Sequence, residues 1–264
     1  MTNRRDIACV LVFAGLDPSG GAGIQADIQA ISAANVHPLP IITALTVQDN
    51  QHVHAVHAVE ADLLREQARV LIEQGTCIDA VKIGIVGSAA NAQAIADVID
   101  VLRTAHPALP VVLDPVLASG HGDALTKGDA VQALQALRRL ATLLTPNLPE
   151  AAALCAAGDI EAQAQMLLND SPHVLIKGGH GEGDAIVNHW FSRDAQRRWQ
   201  WPRLAGEFHG SGCTLASAIA ARLAKKREME AAIDEAQRYT HHCLERAFAI
   251  AEGQLMPNRS REHA

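Results

Sequence analysis

The sequence has little that could staple a small fold or cross a membrane. Its five cysteines, Cys9, Cys77, Cys155, Cys213 and Cys243, are scattered, odd in number and form no C-x-x-C pair. Neither a disulfide framework nor a zinc site is expected. No apolar stretch approaches the roughly 18 residues of a membrane span. The apolar run Ile7 to Gly15 is short and lacks a small-residue cleavage site, which argues against a signal peptide. The expectation is a soluble cytoplasmic protein with reduced thiols. Basic charge is in deficit: 22 Lys+Arg against 29 Asp+Glu leave −7 with neutral histidines. That balance argues against a nucleic-acid binder, since phosphate neutralisation wants a basic face. It leaves room for a local anion site made of backbone amides. Aromatic residues are 3% of the chain. The lone tyrosine, Tyr239, is assigned no role. Trp190, Trp199 and Trp201 cluster near one another and fit packing or a partner interface better than a stacking platform. Internal repeats, low-complexity stretches and linkers are missing as well.

What is present suits a packed domain. Hydrophobic residues are 48% and charged residues 19% of 264, which excludes a disordered or fibrous chain. A chain this long buries roughly 70–75% of its unfolded surface without a staple. One domain over 1–264 is expected, with its core over 7–250 and a polar tail from Met256 that frays. Apolar runs at Ile7 to Ala14, Pro40 to Val47, Ala80 to Ile85, Val111 to Asp114, Ala141 to Thr145 and Val174 to Lys177 read as strands covered on both faces. Helical patterns lie between them. Ser88 caps a segment with Ile95, Val98, Ile99 and Leu102 at helix spacing, and Ile24, Ile28 and Ile31 recur likewise. The alternation implies right-handed crossovers and a mostly parallel α/β sheet, with ligands beyond the carboxyl ends of the strands. Ala185 to Phe191 and Arg198 to Pro202 read as an antiparallel pair at one edge.

Several motifs carry possible chemistry. Gly15-Leu-Asp-Pro-Ser-Gly-Gly-Ala-Gly23 joins a strand to a helix; it matches neither a Walker A loop nor G-x-G-x-x-G, and is a tight turn or a close approach to a ligand. Asp27 lies beside the apolar stripe, where a carboxylate is costly unless paired; the alternative is a surface edge. His209-Gly-Ser-Gly-Cys-Thr214 opens a helix whose small residues leave N–H groups free for an anion. Cys213, in its first turn, is a plausible base or nucleophile with a thiol pKa lowered by the helix dipole, or simply a small packed residue. Asn147 and Glu150 can face a hard cation or form a helix-capping pair, and spacing alone favours the latter. Lys177-Gly-Gly-His180 ends a strand and can reach a phosphate or form a solvated turn. Asp114-Pro115 can orient metal-bound water or start a turn. His52, His54 and His57 are poorly arranged for one metal and are read as non-ligands.

Together, AGLDPSGGAGIQADI, ITALTVQDN, VKIGIVGS, VVLDPV, LLTPNLPEA, IKGGH and HGSGCTLASAIA resemble the bacterial hydroxymethylpyrimidine/phosphomethylpyrimidine kinases of thiamine biosynthesis, in the ribokinase superfamily. The resemblance runs from about residue 7 to about residue 250. It implies a three-layer α/β/α ribokinase-like fold with a central, mostly parallel sheet, and a homodimer. It implies phosphorylation of 4-amino-5-hydroxymethyl-2-methylpyrimidine, and then of its monophosphate, with ATP and Mg²⁺. Asp27 and Gln48 would hold the pyrimidine, with Gly15 and Ile85 lining its pocket. The nucleotide phosphates would lie over Gly210, Ser211, Gly212 and Cys213. Lys177 would contact phosphate, with Asn147 and Thr214 on the nucleotide side and Asp114 and Glu150 around Mg²⁺, mostly through water. Cys213 would take the position of the base that ribokinases fill with Asp. Two departures stand out. Many relatives have Lys-Ser-Gly where this chain has Ala118-Ser-Gly-His-Gly122, so that His121 would have to replace a lid lysine. Ile85 stands where many have Met. The rival readings are a pyridoxal kinase, a non-catalytic pyrimidine-binding domain and, made improbable by Cys213, a sugar kinase.

Overall fold

The computed structural model describes residues 7–117, 130–155 and 158–260. The departure at 118–122, with His121, lies outside the described residues. The strands are β1 (Cys9–Leu16), β2 (His37–Gln48), β3 (Val53–Ala58), β4 (Ala80–Ile83), β5 (Val111–Leu113), β6 (Leu143–Leu144), β7 (His173–Ile176), β8 (Ala185–Ser192) and β9 (Gln196–Pro202). The helices are α1 (Gly23–Ala33), α2 (Ala61–Glu73), α3 (Ala89–Ala105), α4 (Ala130–Ala133), α5 (Gln135–Leu140), α6 (Leu148–Leu154), α7 (Ile160–Leu167), α8 (Ser211–Ala224) and α9 (Met229–Glu245).

The strands form one sheet in the order β3-β2-β1-β4-β5-β6-β7-β8-β9. Pairing is parallel from β2 through β7 and antiparallel at β2–β3, β7–β8 and β8–β9. Side-chain alternation along β1 explains its unbroken apolar run. Val10, Val12 and Ala14 pack with α1, α8 and α9 on one face; Leu11 and Phe13 pack with α2, α3, α5, α6 and α7 on the other. The result is the expected three-layer α/β/α arrangement. Ser88 does cap α3, accepting the Asn91 N–H at 3.2 Å. Because β2 and β4 flank β1 on opposite sides, the chain reverses its winding there and opens a crevice at the carboxyl ends.

Two features differ from the sequence reading. β3 forms because β2 runs past the end of β1 and offers Ala44 to Gln48 a second partner. The hairpin turn is held by Asp49 Oδ1, which accepts the N–H of Gln51 and His52 at 2.8 Å each, while His54 Nε2 lies 3.0 Å from Asp49 Oδ2. The tail also does not fray at Met256. Leu255 pairs with Phe208, Met256 with Phe248, and Met256 and Arg259 are 4% and 6% exposed. Burial of these two side chains holds the segment down through Ser260.

Candidate active site

A cavity of about 540 Å³ runs across the carboxyl ends of the strands, a size typical of small-molecule sites. Each strand of the parallel core delivers a residue: Gly15 from β1, Gln48 from β2, Ile85 after β4, Asp114 after β5, Asn147 and Glu150 after β6, and Lys177 after β7. Gly210, Ser211, Gly212 and Cys213 form the remaining wall. Of the expected site residues, only Asp27 and Thr214 are not among those lining it.

One wall is the start of α8. Gly210 caps the helix at φ +73°, and a Cβ there would collide with the Gly21 carbonyl of the first glycine-rich loop. Only glycine permits both the left-handed backbone and this contact. The amides of Ser211, Gly212 and Cys213 have no acceptor one turn earlier in the helix; Thr214 is the first to be satisfied, by Gly210 O at 2.9 Å. Gly212 leaves room for the Lys177 ammonium, which would lie 3.1 Å from a Cβ at that position. Lys177 Nζ donates to Asp114 Oδ1 at 2.6 Å, and the Thr145 hydroxyl donates to the same oxygen at 3.0 Å. Burial alone would lower the Lys177 pKa; the charges of Asp114 and Glu150 outweigh it and raise it. The turn after Lys177 is held by Asn188 Oδ1, which accepts the Gly178 N–H at 2.9 Å.

Asn147 and Glu150 form the reciprocal capping pair: Glu150 N–H donates to Asn147 Oδ1 and Asn147 N–H to Glu150 Oε2, each at 2.8 Å. They also line the cavity, so capping and site roles coexist. Burial, with Asp114 adding to it and Lys177 opposing, pushes the Glu150 carboxyl up to about 7. Asp114 and Glu150 line the cavity together, and a hydrated Mg²⁺ needs only one or two protein carboxylates, so the pair fits such an ion. Among the described residues no group of three or more His, Cys, Asp or Glu closes around a metal.

The opposite wall is built from β2 and the first glycine-rich loop. Thr46 Oγ1 donates to Leu16 O at 2.8 Å and lies 3.1 Å from Gln48 Oε1. Gln48 Nε2 is 3.2 Å from His209 Nε2, which is 2.7 Å from Asp17 Oδ2. Asp17 also accepts the N–H of Ser19 and Ala22 at 2.8 and 2.9 Å. Burial would raise the Asp17 pKa, but hydrogen bonds from His209 and Ser19 hold it below the ordinary carboxylate value. Thr43 donates its hydroxyl to Ile85 O, which fixes the wall where Ile85 stands.

Three expectations require correction. Asp27 does not touch the cavity: it is 0% exposed, accepts two bonds from Lys82 Nζ at 2.8 Å and one from Ser217 Oγ at 2.6 Å. Neither the surface edge nor the pyrimidine contact survives; the partner that burial demands is Lys82. Burial would lower the Lys82 pKa, but Asp27 outweighs it and keeps the ammonium charged. Thr214 also points inward, donating to Gly210 O at 2.8 Å and accepting Arg259 Nε–H at 2.7 Å, so its hydroxyl is not presented to a nucleotide. The Cys213 thiol is pushed up to about 11, not lowered. Burial dominates the dipole, with Asp27 and Asp114 adding to it and Lys82 opposing.

Asp17, Lys82, His209, Ser217 and Arg259 are the residues that sequence reasoning missed. Lys82 had a signal: a lysine inside the apolar strand run AVKI needs a carboxylate partner. Asp17 and His209 stood inside recognised motifs but each bonds across the fold. Arg259 lies in a polar tail that carried no signal.

A family model described as phosphomethylpyrimidine kinase matches residues 17–258. The hydroxymethylpyrimidine/phosphomethylpyrimidine kinase of Rhizobium meliloti is 39% identical over 256 residues, covering 94% of each chain. A longer relative, a thiamine biosynthesis multifunctional protein of Corynebacterium efficiens, is 38% identical, and the chain spans 34% of it. Among solved structures, Bacillus subtilis pyridoxal kinase in complex with ADP superposes with a TM-score of 0.86 at 26% identity, covering 96% of this chain and 98% of that one. The phosphomethylpyrimidine kinase of Clostridium difficile gives 0.77 at 30% identity, with 90% and 99% covered. Agreement of motif order, sheet topology and near full-length identity leads to one conclusion: the chain is a kinase of the phosphomethylpyrimidine kinase family.

Proposed function

We propose that this kinase uses ATP to phosphorylate 4-amino-5-hydroxymethyl-2-methylpyrimidine and then its monophosphate, for thiamine biosynthesis. The observation that carries the reading is one cavity with the first turn of α8 and Lys177 on one wall and Gln48 and Thr46 on the other. Phosphoryl transfer needs positioning and charge neutralisation more than covalent chemistry. The amides of Ser211 to Cys213 stabilise charge on the moving phosphoryl group, and Lys177 adds a cation beside them. Asp114 and Glu150 would hold Mg²⁺, which would supply charge neutralisation for phosphate oxygens. Gln48 offers a donor and an acceptor to the polar edge of an aminopyrimidine, and Ile85 with Gly15 bounds its ring. Asp27, on α1, ties β4 to α8 through Lys82 and Ser217. Cys213 orients the acceptor hydroxyl and its thiolate form takes the proton; a thiol with a pKa of about 11 is a strong base present in small amount at neutral pH. The second acceptor is an anionic phosphate and needs little base. The reading includes a homodimer acting in the cytoplasm.

A second reading, pyridoxal kinase, has one observation in its favour: the Bacillus subtilis pyridoxal kinase superposes better than the Clostridium difficile phosphomethylpyrimidine kinase, 0.86 against 0.77. Sequence identity runs the other way, 26% against 30%. ADP release with the hydroxymethylpyrimidine, its monophosphate and pyridoxal side by side separates them. Turnover of both pyrimidines is expected; turnover of pyridoxal alone would overturn the proposal, and no turnover of any would favour a binding domain.

A further inference from the structure

Arg259 is a buried guanidinium with no carboxylate partner among the described residues. It is 6% exposed, and every acceptor it reaches among the described residues is neutral. Nε donates to Thr214 Oγ1 at 2.7 Å and Nη1 to Gln29 Oε1 at 3.3 Å. Nη2 donates to Gly21 O and lies 3.4 and 3.5 Å from His209 O and Gly210 O. A buried charge is normally offset by an opposite one in contact; here Asp27 acts only from a distance and the direct contacts are carbonyl, amide and hydroxyl dipoles, to which charge-assisted hydrogen bonds are strong and directional. Two of those acceptor residues, His209 and Gly210, line the cavity, and Gly21 and Thr214 are chain neighbours of its lining residues Ala22 and Cys213. Gly21 lies in the acceptor-side loop, packed against the Gly210 that caps α8. Thr214 passes the contact on to Gly210 O through its own hydroxyl. The segment bearing Arg259 is anchored independently: Leu255 N–H donates to Glu207 O at 2.8 Å, Asn258 N–H to Cys243 O at 2.9 Å, and Tyr239 Oη to Arg259 O at 3.4 Å.

We infer that Arg259 is a positioning residue for phosphoryl transfer: from the C-terminal segment it sets the separation between the first glycine-rich loop and the anion-binding start of α8. Donor and acceptor approach each other across that separation, so the inference rests on the kinase reading above. A displacement of about 1 Å between such walls costs about a hundredfold in rate.

The test compares the wild type with Arg259→Ala and Arg259→Lys. With Arg259→Ala, kcat for both pyrimidine acceptors should fall about a hundredfold, with a smaller rise in the nucleotide KM, while a cooperative melt is retained. Added methylguanidinium should restore part of kcat in that variant and none in the wild type. Amide hydrogens of residues 210–214 should exchange faster. Arg259→Lys keeps the cation but cannot span the same acceptors, so it should melt near the wild type with kcat reduced. Should Arg259→Ala fail to fold, Arg259→Lys decides. Wild-type kcat with unchanged exchange at 210–214 in a folded variant would overturn the inference. If the wild type turns over no pyrimidine, the substrate reading fails separately, and the exchange comparison still decides the positioning role.

Discussion

At the scale of single residues, two groups show how burial outweighs a local rule. Cys213 sits where a helix dipole favours a thiolate, but that field is worth about 0.3–1 kcal/mol, less than the cost of one pH unit, about 1.4 kcal/mol. Desolvation therefore wins, and the thiol is pushed up to about 11. Below that value the thiolate fraction grows about tenfold per pH unit. The rate of alcohol phosphorylation should climb from pH 6 to pH 9, whereas the monophosphate step should be nearly flat. Cys213→Ala should flatten the first profile and slow that step far more than the second; a flat wild-type profile for the alcohol would remove Cys213 as base. Asp27 is the second group. Its resemblance-based role predicts a KM effect, but its contacts are Lys82 and Ser217. Removing it leaves an ammonium buried without a counter-charge, which costs about 3–5 kcal/mol. Asp27→Ala should therefore lower the urea midpoint sharply, and a variant as stable as the wild type would contradict the buried-pair account.

At the scale of elements, most of what the sequence displays is short-range. The central strands were legible because they are covered on both faces, so β1 and β4 are apolar throughout apart from Lys82. The start of α3 was legible from Ser88, and the start of α6 from Asn147 and Glu150. β3 was not, because its half-exposed VHAVHA follows no strict alternation and depends on an overhang of β2. The α8 start was legible as small residues before an apolar helix, and it carries a clean test. Gly212→Ala adds a methyl group 3.1 Å from Lys177 Nζ. Alanine is the better helix former by about 1 kcal/mol, so the melt should not fall, while the nucleotide KM should rise severalfold. Loss of stability with an unchanged KM would show that Gly212 serves packing instead. The α6 start offers a pH test. Glu150 has a folded pKa raised to about 7, so the folded state binds the extra proton between the unfolded value, about 4.3, and 7. Its contribution is fully present below that lower value and is lost as pH rises towards 7. Glu150→Gln keeps the cap acceptor and should gain on the wild type over that interval, as read by thermal melts at pH 5 and pH 8.

At the scale of the whole molecule, the site is assembled from contacts the chain cannot announce locally. Asp27 and Lys82 are 55 residues apart, Asp17 and His209 are 192 apart, and Gly21 and Arg259 are 238 apart. Spacing rules reach about one or two helical turns, so they locate the pieces and not the pairs. This is why the cavity's walls could be named in advance while Asp27, Thr214 and the C-terminal segment were misplaced. The homodimer reading belongs to this scale: sedimentation should give twice the 28.0 kDa of one chain, and a single-chain mass would reject it. A last consequence follows from the bond between Lys177 and Asp114. A bare triphosphate entering here can recruit this ammonium only by stranding the aspartate, so the Lys177–Asp114 pair repels half of what it attracts. Asp114 can release its lysine cheaply only when another cation arrives with the anion. The enzyme should thus prefer its nucleotide already complexed with metal: calorimetry with a non-hydrolysable ATP analogue should show affinity at least about tenfold weaker in EDTA than in magnesium, about 1.4 kcal/mol.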